Sequence, residues 1–384
     1  MVTAAPPVAS PLSVRHLGPN WYATVMGTAV VATAGAALPL ERLPGLRGVL
    51  AGVWGLSLVL LLVLLLARSA HWARHRDQAR ADLLDPATAP FYGCLAMALL
   101  AVGGGALAVG RDVIGPRAAV ALDAVLFTAG TAVGLAAAVA VPYLMAVRHR
   151  VEPGQATPVW LLPLVAPMVS AAVGPRLVPY LPPGQARRTL LLVCLALFGL
   201  SLLATLLMLP LVFARLLTGG PLPLALTPTL FLVLGPLGQS TTAVGAFADV
   251  APGVVPEPYG HGFDALAVLY GVPVMGFALL WSCLAGVHVW RARRRGMRFA
   301  MTWWSFTFPV GTCVTGAEAL GRHTGLVAYA GPAVVLFGVL VAAWGTAVVG
   351  TVRGLVRGEL LAGPGPAPVA PRPATARTTS GAVR

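Results

Sequence analysis

Between Arg298 and Gly321 the chain reads RFAMTWWSFTFPVGTCVTGAEALG, and its polar side chains are not scattered. At helical spacing Ser305, Phe308, Thr312 and Thr315 fall three or four residues apart and share one face. That face is a line of hydroxyls interrupted by one aromatic ring, the pattern of a narrow, uncharged passage with a plug. Phe306, two residues earlier, points to the opposite side as ordinary packing. Pro309 removes a backbone donor beside the ring and permits a kink there. The competing reading is a packed helix whose hydroxyls bond back to their own carbonyls.

Two other stretches carry similar faces. Thr24 and Thr28 stand one turn apart beside Gly27, and Gly235, Gln239, Thr242 and Asp249 form a stripe further on. Small and hydroxyl-bearing residues also serve as glue between membrane helices, so each stripe alone fits either role. Among the acids, Asp123 lies inside an apolar run and Glu318 near the end of another. An ionisable residue at membrane depth is a functional candidate by default, here for proton coupling. Asp123 is also expected to pair with a nearby arginine such as Arg117. His71 and His75 have the spacing of two metal ligands on one helix face, but HWARHRDQAR supplies mostly arginine around them. A solvated interfacial helix and no metal site are expected there. The four cysteines are isolated core residues without disulfide or zinc spacing. No GxSxG, HExxH, Walker or dinucleotide fingerprint occurs, so neither an enzyme nor a cofactor is expected.

The elements that must position these residues follow from composition. Apolar residues make up 58% of the 384, charged residues 10%, and the mean hydropathy is +0.83. A soluble domain carries about 25% charged residues, so this is an all-α integral membrane protein. A β-barrel is excluded by continuous rather than alternating apolar runs. Ten spans are expected, at about 21–39, 46–67, 91–110, 118–147, 158–174, 189–214, 225–249, 264–290, 299–318 and 326–352, each long enough for a bilayer core of about 30 Å. Residues 1–20 form an N-terminal segment, 21–353 one transmembrane domain, and 354–384 a disordered tail rich in proline and alanine. The fifth, seventh and ninth spans are broken by proline, with Pro163, Pro167, Pro236 and Pro309 as expected kinks. Alternation of broken and plain spans suggests an inner ring of helices inside an outer one.

The net charge of +14 comes from 26 arginines and no lysine. Their placement in short loops points to topology and lipid headgroups rather than nucleic acid. With both termini in the cytoplasm, eighteen arginines lie inside and eight, Arg176 and Arg322 among them, outside. No arginine is expected deep enough to act as a fixed binding charge. The basic run RARRRGMR would concentrate anions at the cytoplasmic mouth.

HLGPNWYATVMGTAVVATA (16–34), VWLLPLVAPMVSAAVG (159–174), LFLVLGPLGQSTTAVGAF (230–247) and WWSFTFPVGT (303–312) resemble the tellurite-resistance/dicarboxylate transporter family. That family, within the voltage-dependent anion channel superfamily, includes bacterial tellurite-resistance proteins, fungal malate permeases, yeast sulfite efflux pumps and plant slow anion channels. The resemblance implies five helical hairpins around a central pore, a homotrimer in the plasma membrane, and small anions as substrates. By the WxFxF pattern it implies a gating phenylalanine at Phe308. The lettering is nearer the malate and sulfite branch, which favours a C4-dicarboxylate or sulfite over halide. A proton-coupled carrier using Asp123 or Glu318 is the second reading, and a non-transporting sensor or scaffold the third.

Overall fold

A computed structural model of the chain describes residues 14–39, 44–149, 151 and 154–361. Arg42, Arg150, the first thirteen residues and the tail beyond 361 lie outside the described residues. The described chain is helical and contains no strand. Twelve α-helices follow in order: α1 (Tyr22–Ala37), α2 (Leu46–Arg74), α3 (Arg76–Leu84), α4 (Gly93–Gly105), α5 (Arg111–Ile114), α6 (Pro116–Val147), α7 (Leu161–Val173), α8 (Gln185–Gly219), α9 (Leu234–Val250), α10 (Tyr259–Arg294), α11 (Phe308–Thr324) and α12 (Ala330–Val356).

Eight helical segments among the described residues are long and apolar enough to cross a membrane. The first and ninth expected spans contain the shorter α1 and α11, of 16 and 17 residues. Burial separates the segments into two kinds. Ala89–Ile114, Pro158–Tyr180 and Leu224–Val250 are 83%, 89% and 94% buried over their most apolar windows, whereas Leu46–Arg74, Pro116–Val147 and Tyr259–Arg294 reach only 33%, 28% and 22%. A helix that is apolar all round yet mostly exposed, with Leu66, Leu207 and Leu269 pointing outward, has lipid as its solvent. The buried helices pack on one another in sequence, α1 on α4, α4 on α7, α7 on α9, α9 on α11, and α11 back on α1.

Each inner helix begins the same way, with a 3-10 turn that runs into the α-helix: Pro19–Trp21, Ala89–Tyr92, Pro158–Trp160, Leu224–Val233 and Met301–Phe306. This corrects the expected kinks. Of the four prolines expected as kinks, Pro167 alone lies in a helix interior. Pro163, Pro236 and Pro309 stand in the first α-turn, close to the junction with the preceding 3-10 turn, where proline is tolerated. The interior irregularity that does occur is a π turn at Ala106–Gly110, prolonging α4.

Tryptophans tie the layers together. The indole N–H groups of Trp54 and Trp281, on α2 and α10, donate to the carbonyls of Val102 (3.0 Å) and Leu230 (2.9 Å). Trp304 donates to Thr351 Oγ1 on α12 at 2.9 Å, and Trp344 of α12 to Thr28 Oγ1 on α1 at 3.1 Å. Each of these rings therefore keeps its polar atom satisfied. α9 and α11 approach closely, and a Cβ at Gly238 would lie 2.5 Å from both Thr312 C and Cys313 N. Gly238→Ala should force the two backbones apart and cost about 1–3 kcal/mol by overpacking, read as a lowered midpoint in thermal unfolding in detergent.

The segment around the two histidines is also corrected. His71 is fully buried, and its Nδ1 is 2.8 Å from the Val14 carbonyl. Buried Arg68 donates to the Leu17 carbonyl and to Tyr92 Oη (3.2 Å), with Asp82 Oδ2 at 3.7 Å. These contacts clasp residues 14–17 and α3 onto the end of α2, so this is a packed corner rather than a solvated helix. No group of three metal-ligating side chains occurs among the described residues. At the far end α12 continues to Val356, and Leu360 and Leu361 pack against the core, so ordered chain extends past residue 354.

Candidate functional site

The inner helices enclose a string of cavities that narrows in one direction. The widest, about 740 Å³, is lined by Ala36, Ala37, Glu318, Arg322 and Gly325. It shares Ala37, Glu318 and Arg322 with a chamber of about 70 Å³ that also touches Arg176, Thr242, Asp249 and Thr315. That chamber shares Arg176, Thr242 and Thr315 with a central cavity of about 40 Å³, where Val30, Gly104, Gln239, Thr312 and Phe308 complete the wall. Beyond Phe308 only about 10 Å³ is left, between Met26, Met97, Leu162, Gly235 and Pro309. Phe308 belongs to both of the last two cavities and is 4% exposed, so its ring separates them.

Gly235, Gln239, Thr242, Thr312 and Thr315 thus line the string. Thr24, Thr28 and Ser305 do not line any of these cavities. Thr24 donates to the Trp21 carbonyl at 2.8 Å, and Thr28 faces α12, accepting from Trp344. Val30 and Thr33 line the cavity from α1 in their place. Ser305 lies in the 3-10 turn before α11, and Thr307 breaks the helix between them. The 3.6-residue period that put Ser305 and Phe308 on one face therefore does not run through this point. Phe306 packs edge-on against Phe231 at 5.0 Å and Trp303 at 5.9 Å, on the side away from the cavities.

The hydroxyls line the cavity and bond back to carbonyls at the same time. Thr312 donates to the Pro309 carbonyl at 2.7 Å. Thr242 and Thr315 are joined Oγ1 to Oγ1 at 2.7 Å, and each is also within reach of a carbonyl of its own helix, Gly238 at 3.0 Å and Thr312 at 3.1 Å. A hydroxyl has one hydrogen, and these hydrogens are committed. These three residues therefore have no spare hydroxyl hydrogen to offer an anion in the cavity.

Two side chains do have free donors. Neither Arg176 nor Gln239 makes a hydrogen bond or ion pair with another described residue, and both line the central cavity. Arg176 was expected outside the spans; it sits in a 3-10 segment (Gly174–Tyr180) that carries the fifth span onward, and it lines the cavity wall. The sequence signal was present in GPRLVPY, a lone arginine between apolar residues with no acid nearby, unlike the loop clusters. Arg322, by contrast, is committed: it donates to Asp249 Oδ1 and Oδ2 at 2.8 and 3.0 Å and pairs with Glu318 Oε1 at 2.7 Å. His323 Nε2 adds a contact to Asp249 at 3.2 Å. Glu318 thus belongs to an ion-pair network at the wide mouth. Asp123, on the outer helix α6, is 1% exposed, and neither carboxylate oxygen has a hydrogen-bond partner. It makes no pair with Arg117.

Comparison with known proteins places the chain. Residues 16–352 match the model of a family described as voltage-dependent anion channel. An uncharacterized transporter of Methanocaldococcus jannaschii is 25% identical over 354 residues, 91% of this chain and 96% of that protein. The sulfite efflux pump of Trichophyton rubrum is 26% identical over 318 residues, 81% of this chain and 84% of its own, and that of Arthroderma otae is 26% identical over 324.

Proposed function

We propose, from the premise that this chain belongs to the voltage-dependent anion channel family, that it carries small anions through the string of cavities between its inner helices. On this reading ten helices cross the bilayer as five hairpins, α1 with α2, α4 with α6, α7 with α8, α9 with α10, and α11 with α12. The single supporting observation is the arrangement at the narrow end. Two uncommitted donors, Arg176 and Gln239, face a 40 Å³ cavity whose far wall is the Phe308 ring. Phe308 is the gate, Arg176 the charge that draws an anion in, and Gln239 a neutral donor that holds it without trapping it. A pathway must bind weakly enough to release, and one guanidinium beside committed hydroxyls meets that condition.

The cavity volume bears on the substrate. By the measure in which one water needs roughly 10–15 Å³, it holds about three waters. That suits a small oxyanion such as sulfite better than an extended C4-dicarboxylate, and sulfite is also what two of the similar proteins are named for. The arginine distribution supports a wide mouth outside and a Phe308 end toward the cytoplasm, in a plasma-membrane protein with both termini inside. The family resemblance adds a homotrimer with one pathway per subunit. Flux of sulfite, nitrate, chloride and malate from proteoliposomes tests the reading. Selective passage of the small anions is expected; an absence of anion flux in wild type and in Phe308→Ala alike would overturn it.

A further inference from the structure

Asp123 is a buried carboxylate for which the pathway as described has no use. It projects from α6 toward Gly103 of α4, where an added Cβ would lie 2.6 Å from its Oδ1, and the next residue, Gly104, lines the central cavity. Both of its oxygens lack partners, although a buried acid ordinarily gathers several hydrogen bonds. A carboxylate kept in that condition at membrane depth needs a proton or a cation to be tolerable. Arg176 stands in the wall of the same central cavity as Gly104, and its charge acts on the carboxylate.

The remaining surroundings are neutral or distant. On its own helix Arg117 and Tyr143 are exposed, and α7 carries no titratable residue. On α4, Cys94 stands more than two turns from Gly103, with Tyr92 beyond it in the preceding turn. On α5, Arg111 is exposed and Asp112 is held by Arg47 of α2. Around Arg176 the other acting charges are Arg322, Asp249 and Glu318, already joined to one another, with His323 against Asp249.

We infer that Asp123 is a proton site that sets the effective charge of Arg176, so that a proton and an anion are taken up together. Arg322 balances one of the two mouth acids, which leaves Arg176 between the other and Asp123. With Asp123 ionised, two cations stand against three carboxylates and the cavity has no net attraction for an anion. With Asp123 protonated the charges are even, and Arg176 is the exposed one. An anion seated at Arg176 repels the ionised form of Asp123 in turn. By reciprocity, protonation must tighten anion binding by the same factor as anion binding tightens the proton.

This inference rests on the proposed anion pathway and gives its regulation. The test uses the purified full chain in detergent and nitrate, an anion that does not itself titrate. Nitrate affinity is measured across about pH 5 to 9, a span that covers ordinary and raised carboxylate values. Proton uptake on binding is read by calorimetry in two buffers of different ionisation enthalpy. Wild type should bind nitrate about tenfold more tightly at the acid end, within the usual range of such couplings, and take up protons in the transition region. Asp123→Asn should bind at all pH values as wild type does in acid, with no proton uptake. Arg176→Gln should lose the pH dependence together with the affinity. A pH-independent affinity in wild type, or unchanged proton uptake in Asp123→Asn, overturns the inference, and the wild-type arm decides alone if that variant does not fold. Flux from proteoliposomes separates the two claims: flux without proton linkage removes the inference and leaves the pathway, whereas linkage without flux does the reverse.

Discussion

Replacing Phe308 by alanine should raise anion flux by at least about tenfold, equivalent to taking about 1.4 kcal/mol off the barrier. The ring is 4% exposed and is shared by cavities of about 40 and 10 Å³. Removing it joins them and opens the way toward Met26 and Gly235. The usual penalty for truncating a core phenylalanine is about 3–5 kcal/mol, much of it for an empty cavity. Here the space becomes continuous with a chamber that polar groups line, so water can enter it and the loss of stability should fall at or below the low end. Phe306→Ala serves as the control. Its ring packs on Phe231 and Trp303 away from the string, so it should lower the unfolding midpoint and leave flux unchanged.

The second large effect concerns Arg176. In a Phe308→Ala background, Arg176→Gln should cut anion flux by about ten- to a hundredfold, since a unit charge a few ångströms from its ligand at an effective dielectric near 20 contributes a few kcal/mol. Arg176→Lys should restore part of it, because it keeps the charge and loses the planar fork. Arg322→Gln should behave differently. Its guanidinium is spent on Asp249 and Glu318, so its loss leaves both carboxylates facing the mouth and slows anion entry by repulsion. The two arginines are distinguishable by salt: the effect at the wide mouth should be screened as ionic strength rises, and the effect in the narrow cavity much less.

Much of this architecture can be read from residue order. The membrane class follows from the scarcity of charge, and the inner-outer division from proline, glycine and hydroxyls gathered in alternate spans. What cannot be read is the point at which helical period stops applying. Ser305 and Phe308 share a face only if one helix runs through Thr307, and the chain instead changes from a 3-10 turn to α11 there. The prolines mislead for the same reason: Pro236 and Pro309 look like interior breaks until the first turns are located. Thr28 has the right residue type on the right helix, but α12 covers it with Trp344, a contact across more than three hundred residues. Arg176 escapes a loop-counting argument because a 3-10 segment prolongs the span to Tyr180, past the end of the apolar run, and keeps Arg176 in the cavity wall. The motif WSFTF, in contrast, needs no helix geometry to single out Phe308; it rests on resemblance alone.

The route itself is tested most directly by plugging it. Thr315 lines both the chamber at Arg176 and the central cavity, on the side of Phe308 open to the wide mouth. With exposed Cys283 replaced by alanine and the other cysteines buried, a Thr315→Cys, Phe308→Ala protein can be treated in proteoliposomes with a charged methanethiosulfonate. Anion flux should stop on modification, return on reduction, and be unaffected by the reagent in the Phe308→Ala parent. Complete modification of the cysteine with undiminished anion flux would contradict a pathway between the inner helices.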